Sequence, residues 1–361
     1  MPAVPSLLRR RSAAVLLLLL TVAVVTVLPG GAAQAKRKPA PATPPPSPAK
    51  HVGVSTEGAP GGPELQELIT SIGQVPDEVM WFVAWSVPGG FPTADAERVR
   101  ALGATPVITW EPWDPSLGAG QTTYTPRSIA AGRHDAYLRQ WARGIRAFGS
   151  PVVLRFAHEM NGTWYPWSPG VNGTTAADVV GAWRRVHAVL VKERATNAVL
   201  RWSPNVPFPG STPMAQLWPG ATYVGQVGLD GYNWAGHLPG TTWLSFGDVV
   251  GQGLDELSAL TSLPVHVSET ASPEKALDGT GNKAAWIRDM FASLRDDPRL
   301  AGVTWFHHDK ELDWRITSSP AATAAAVEAF LRDCGARNWQ RDLTVPVLTA
   351  ALQVSPTDRC P

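Results

Sequence analysis

Val152-Val153-Leu154-Arg155-Phe156-Ala157-His158-Glu159 is the stretch whose reading decides the fold. A β-branched, apolar run reads as a buried strand, and a histidine and a glutamate follow side by side where that strand should end. From Met160 the chain continues N-G-T-W-Y-P-W, which puts two tryptophans and a tyrosine within positions 164–167. A strand that delivers an acid to its C-terminal end, beside clustered aromatics, fits a parallel sheet with its chemistry on one rim.

The same pattern repeats on both sides. Upstream, strands are expected at 52–55, 79–85 and 106–110, with helices at 63–72, 94–102 and 128–148. Downstream, strands at 198–203, 227–232, 265–268 and 302–306 alternate with helical patterns at 176–194, 213–217, 246–260, 283–294 and 321–331. With 152–157 the strands number eight. Regular alternation of this kind predicts an α/β fold of the (β/α)8 TIM-barrel class over residues 51–333, a span that suits the usual size of about 250 residues plus long loops.

Composition narrows the classes. The chain has 361 residues and a formal net charge of +1, so no strong field points to nucleic acid or to an anionic membrane. Tryptophan, at 16 residues, exceeds what a core needs, and flat indole faces are what pyranose rings stack on. The ends read differently from the middle. Residues 1–35 have the order of a secretory signal peptide: Arg9-Arg10-Arg11, then an apolar run from Ala13 to Leu28, then Ala33-Gln34-Ala35 as an A-x-A cleavage site. The expected destination is extracellular, with no membrane contact once the signal is removed. Residues 36–50 hold six prolines and read as an extended linker. Residues 334–361 read as a C-terminal tail, in which Cys334 and Cys360, the two cysteines of the chain, are expected to form a disulfide.

Barrel chemistry sits at the C-terminal ends of strands. Those ends carry Trp85, Trp110-Glu111-Pro112-Trp113, His158-Glu159, Trp202-Ser203-Pro204-Asn205, Asp230-Gly231-Tyr232-Asn233-Trp234, Ser268-Glu269-Thr270 and Trp305-Phe306-His307-His308-Asp309. Cleavage of a glycosidic bond needs two carboxyl groups, one to protonate the leaving oxygen and one to attack the anomeric carbon or activate water. Glu159 and Glu269 end strands four and seven, across the mouth from each other, a placement that suits a retaining pair about 5–5.5 Å apart. Glu111 and Asp230 compete for these roles; their bland reading is a strand-end carboxylate bound to an amide or to an arginine such as Arg155. Apolar aromatic neighbours raise a carboxyl pKa, so Glu159, beside Trp164, Tyr165 and Trp167, fits the acid/base. Glu269, held by Tyr232, fits the nucleophile. Trp85, Trp110, Trp113, Trp164, Trp167, Trp234 and Trp305 are expected to line a long cleft, which implies endo action, and Asn205 belongs to the same rim.

Other machinery lacks its signature. No second histidine follows His158-Glu159 at H-E-x-x-H spacing. Adjacent side chains in His307-His308-Asp309 point to opposite faces of a strand. No metal and no cofactor is therefore expected. Asn161-Gly162-Thr163 and Asn172-Gly173-Thr174 match glycosylation sequons, a weak signal.

R-F-A-H-E-M-N-G-T-W-Y-P-W at 155–167, G-L-D-G-Y-N-W at 228–234 and V-S-E-T at 267–270 resemble glycoside hydrolase family 26, the family of β-mannanases and related β-glucanases and xylanases. W-S-P-N at 202–205 and the aromatic end of strand eight support the resemblance, which covers His51 to Leu331. It implies a (β/α)8 barrel with Glu159 as acid/base and Glu269 as nucleophile, retention of configuration and no metal. It further implies His158 and Tyr232 in the sugar subsite, and Trp164 and Trp305 as sugar platforms. Family mannanases often carry W-F-W-W after the acid/base, where this chain has Trp164-Tyr165-Pro166-Trp167, a form closer to the mixed-linkage β-glucanase branch. The expectation is a monomeric, secreted endo-hydrolase of a β-1,4-linked polysaccharide, β-mannan or mixed-linkage β-glucan. The alternative is a catalytically silent glycan-binding or cell-wall-associated barrel.

Overall fold

The computed structural model describes residues 50–58 and 60–332. The expected signal peptide, all but the last residue of the Pro-rich linker, and the Cys334–Cys360 pair lie outside the described residues. Eight strands close into a parallel barrel in chain order: β1 (His51–Thr56), β2 (Glu78–Ala84), β3 (Thr105–Glu111), β4 (Val152–Phe156), β5 (Ala198–Trp202), β6 (Gln226–Asp230), β7 (Val265–Thr270) and β8 (Leu300–His307), which pairs back onto β1. Around them run α1 (Pro63–Ile72), α2 (Thr93–Ala101), α3 (Pro126–Ala130), α4 (Asp135–Phe148), α5 (Ala176–Lys192), α6 (Met214–Leu217), α7 (Phe246–Leu260), α8 (Lys283–Asp296) and α9 (Pro320–Arg332). The single helix expected over 128–148 is two helices, because Gly132 takes a left-handed φ of 79° and turns the chain between α3 and α4. No helix among the described residues is long and apolar enough to cross a membrane.

Strand period assigns the two faces. Val152, Leu154 and Phe156 of β4 point outward into the main core, which they share with Trp141, Ile145 and Trp183 of the helices. Val153 and Arg155 point into the barrel. There the interior has three zones. At the N-terminal end Glu78 and Arg201 form a two-point ion pair at 2.9 and 2.6 Å, and Arg201 also donates to Gln226 at 2.9 Å. Burial alone would raise the Glu78 pKa, but Arg201 overrides it and holds the carboxyl at about 2. Above lies a small apolar layer of Met80, Val107 and Val153. The third zone, at the C-terminal end, is built around Arg155. It needs Gly228 on β6: a Cβ there would stand 2.0 Å from the Ser203 hydroxyl and 2.6 Å from that of Ser268.

Candidate active site

The exit from β4 is strained in a way that aims Glu159. Ala157 and Glu159 both take left-handed φ, 48° and 51°, at a cost of about 1–2 kcal/mol each. Neighbouring strand ends hold them there. The Ala157 amide donates to Trp110 O at 3.1 Å and the Glu159 amide to Ser203 O at 2.7 Å. The Glu159 carboxyl then accepts from Asn205 Nδ2 at 2.7 Å and from Trp164 Nε1 at 2.8 Å. Asn205 is itself clamped by Asn161, whose Oδ1 accepts from the Asn205 amide and whose Nδ2 donates to the Asn205 carbonyl, both at 2.8 Å. Asn161 is thus buried, with both its side-chain oxygen and its nitrogen bonded to Asn205. Asn172 is likewise committed, donating to Ala119 O and Gln121 O at 2.7 and 2.8 Å.

Glu269 arrives by another local device. The β6–β7 ladder slips at Leu229/Asp230 and the β7–β8 ladder slips between Val267 and Thr270. Such bulges re-aim a side chain next to a site. The Glu269 carboxylate accepts from Arg155 Nη1 at 2.7 Å and from Tyr232 Oη at 2.8 Å. Arg155, fully buried, also donates to Asp230, to Thr109 at 2.7 Å and to Ser203 at 3.2 Å. One guanidinium therefore ties strands three, four, five, six and seven together under the mouth.

The electrostatics separate the carboxyls. Burial, with the nearby Glu269 charge adding to it, raises Glu159 to about 7 despite the bonds from Asn205 and Trp164. Burial likewise raises Glu111, at the end of β3, to about 8. Asp230 is pushed well above the usual carboxylate range by burial, against the pull of Arg155. Burial and then Arg155 hold His158 well below its ordinary value, so its imidazole is neutral. The arrangement combines a carboxylic acid that keeps its proton near neutrality with a carboxylate anchored on a guanidinium and a phenol. Asn205→Ala removes a donor that favours the charged form of Glu159, so the Glu159 pKa rises further. The alkaline limb of kcat/KM is expected to move to higher pH, with a loss of about tenfold in rate; a pH profile of the variant checks this.

The structure gathers some of the expected binding residues and not others. Trp164 is 41% exposed and lies beside Phe208, ring centroids 5.4 Å apart. Trp113, Tyr232, Trp234 and Asn205 are partly open on the same rim, and His158 is buried beneath it, its Nε2 3.9 Å from Glu269 Oε1. Four tryptophans placed in the cleft by sequence pack elsewhere. Trp110 is fully buried, stacks on Trp141 of α4 at 4.5 Å and donates to Tyr137 Oη. Trp305 is buried against Trp286 of α8 and donates to Trp314 O. Trp85 is enclosed by Trp110, Tyr137 and Phe156. Trp167 is buried under Tyr165 and donates to His158 O. The reason for Trp110 and Trp305 is strand period: Thr109 and Glu111 face the interior, so Trp110 faces the helices, and Trp305 does the same between Thr304 and Phe306.

Sequence reasoning gave no binding role to several residues of the rim. Phe82 follows Glu78 and Met80 at inward positions of β2 and meets His158, Phe306 and His308 edge-on. His308 stacks on Phe306 at 3.8 Å and pairs with Ser55 Oγ at 2.9 Å. Trp314, in the loop after β8, packs against Tyr232 and Trp234. Period two was the signal for Phe82; Phe208 and Trp314 sit in loops that carry none.

A (β/α)8 barrel that presents a protonated glutamate after β4 and an arginine-bound glutamate on β7, among open aromatic faces, has the anatomy of a paired-carboxylate glycoside hydrolase. Comparison with known proteins narrows the class. Residues 125–253 match glycosyl hydrolase family 26. Over 259 residues the chain is 34% identical to endoglucanase H of Acetivibrio thermocellus, an alignment that spans 70% of this chain and 27% of that protein. A 90-residue stretch is 37% identical to mannan endo-1,4-beta-mannosidase A and B of Caldalkalibacillus mannanilyticus, spanning 24% of this chain and 17% of that protein. The chain therefore covers well under half the length of these curated relatives. The catalytic domain of the Bacillus sp. JAMB-750 GH26 endo-beta-1,4-mannanase shares the fold with a TM-score of 0.58 at 20% identity, covering 78% of this chain and 85% of that one. The chain belongs to glycoside hydrolase family 26. Residues 308–352 also match a 3′ to 5′ exonuclease C-terminal domain, but the described part of that segment is the last loop and helix of the barrel.

Proposed function

We propose that the protein is an exported endo-hydrolase of a β-1,4-linked glycan that works by double displacement with retention. The observation that carries this is the contrast between the two carboxyls: Glu159 holds its proton up to a pH of about 7, while Glu269 is fixed by Arg155 and Tyr232. In the first step Glu159 protonates the leaving glycosidic oxygen as Glu269 attacks the anomeric carbon. A glycosyl ester forms on Glu269 and the aglycone leaves with the proton. Glu159, now a carboxylate, takes a proton from water, which attacks the same carbon and frees Glu269. Trp164 donates to the acid and is open to solvent, so it marks the leaving-group side of the cleft. The longer of the two sequence matches is to an endoglucanase, which favours a glucan backbone over mannan. Export rests on the N-terminal signal pattern. The working form is proposed to be a monomer.

The test is incubation with mixed-linkage β-glucan and with β-mannan, with product sizes followed in time and the first-formed anomer read by NMR. Internal cleavage with β-configured products is expected. First-formed α products would overturn retention, and tight binding of either glycan without release of reducing ends would make the barrel a glycan-binding protein.

A further inference from the structure

One hydroxyl at the mouth has no part in the steps above. Tyr165 lies flat on Trp167, with ring centroids 4.2 Å apart and 12° between planes, and meets Trp113 edge-to-face at 5.2 Å. Its ring is wedged between them. That holds the phenol oxygen 3.1 Å from His158 Nε2.

Which of the two groups donates follows from the other atoms around the imidazole. His158 Nδ1 is buried and has no hydrogen-bond partner. A proton on Nδ1 would be a buried donor without an acceptor, which native structures avoid more strictly than an under-used acceptor. Nε2 lies 3.9 Å from Glu269 Oε1, where an N–H is attracted and a bare lone pair is repelled. The neutral imidazole therefore carries its one proton on Nε2, and the Tyr165 oxygen accepts it. The phenol's own proton is left over. Among the described residues no protein group takes it, and Tyr165 is only partly buried, so the phenol can offer this proton to a bound molecule. Glu159 and Glu269, between which the sugar would lie, are among the carboxyls that act electrostatically on this phenol.

We propose that Tyr165 is a substrate-binding residue, whose O–H donates to one hydroxyl of the sugar held between Glu159 and Glu269 while its oxygen accepts from His158. This deepens the glycan-hydrolase reading and rests on it. The histidine and the sugar hydroxyl then share one phenol, so the contact selects the position of a single hydroxyl.

Tyr165→Phe keeps both ring contacts and removes only the oxygen. On an aryl β-glycoside of the backbone sugar that the wild type cleaves, kcat/KM is expected to fall roughly 10–100-fold. Monodeoxy forms of that substrate locate the contact. For one position, wild type and variant should become equal; for the others the variant should keep its full deficit. A deficit under twofold on the parent substrate would overturn the proposal, and so would an equal deficit at every position, which is the mark of a packing role. A second arm needs no turnover. In histidine-labelled wild type, nitrogen NMR should show His158 protonated at Nε2; protonation at Nδ1 would mean that the phenol donates to the ring and has nothing left for a sugar. Should the wild type cleave no β-glycan, the proposed function fails by itself. Calorimetric binding of cellotetraose and mannotetraose to wild type and Tyr165→Phe then decides Tyr165, equal affinities counting against it.

Discussion

Glu269→Ala is expected to lower turnover of the polysaccharide by on the order of 10⁴-fold or more, because in the proposed double displacement the covalent intermediate forms on Glu269. Asp230 is the nearest rival. It is fully buried and bound to Arg155 beneath the mouth. The loss should be as large for activated aryl glycosides as for polysaccharide, since nucleophilic attack precedes departure of any leaving group. Glu159→Ala behaves differently. Leaving groups that depart without a proton should be spared in the first step, so aryl substrates should keep far more activity than polysaccharide. Comparing the two variants on the two substrate types separates the roles. A Glu269→Ala variant that turns over at the parent rate, or a Glu159→Ala variant with equal losses on both substrates, would remove the assignment concerned.

Arg155→Met and Arg201→Met form the second test. Each variant strips a fully buried cation from carboxylates that stay behind, which destabilises a protein by roughly 3–5 kcal/mol. Chemical denaturation at pH 7 should show losses of this size in both. Acid should narrow them. The folded Glu78 pKa, about 2, lies below its unfolded value, so its stabilising contribution is present above about pH 4.5 and is lost as pH falls through 2. In Arg201→Met that contribution is gone at every pH, and the gap to wild type therefore closes in acid. The orphaned carboxyls of Arg155→Met can likewise be neutralised there. Activity separates the pair. Arg155 holds Glu269, the proposed nucleophile, and its loss should lower kcat/KM roughly 10²–10³-fold, the scale seen on removing one preorganised donor. Among the described residues the Arg201 side chain bonds to Glu78 and Gln226 at the far end of the barrel, and its variant should keep kcat/KM within about threefold while folded. An Arg201→Met variant as inactive as Arg155→Met would mean that the two ends are coupled.

Much of the barrel was legible because buried parallel strands are short apolar runs and the helices between them are amphipathic. All eight strands lie within about two residues of their expected bounds, as far as such boundaries are ever defined. The helix over 128–148 was overextended because Gly132 looks like an ordinary tolerated glycine until its φ is known. The placement of the two glutamates at the mouth was legible because they follow the ends of expected strands. Counting Trp110 and Trp305 as cleft residues ignored period two, which sends both to the helices. The floor pair was not legible at all. Glu78 and Arg201 stand 123 residues apart, and only barrel closure brings them together.

The thin layer of Met80, Val107 and Val153 has a consequence of its own. It separates two charged nests, each of which finds its counter-charges within its own zone: Arg201 on Glu78 below, Arg155 on Asp230 and Glu269 above. An apolar layer screens poorly, so the field of one nest reaches the other. Glu78, held at about 2, stays charged throughout the pH range in which Glu159, raised to about 7, exchanges its proton. The charge at the floor is therefore a constant background to titration at the mouth.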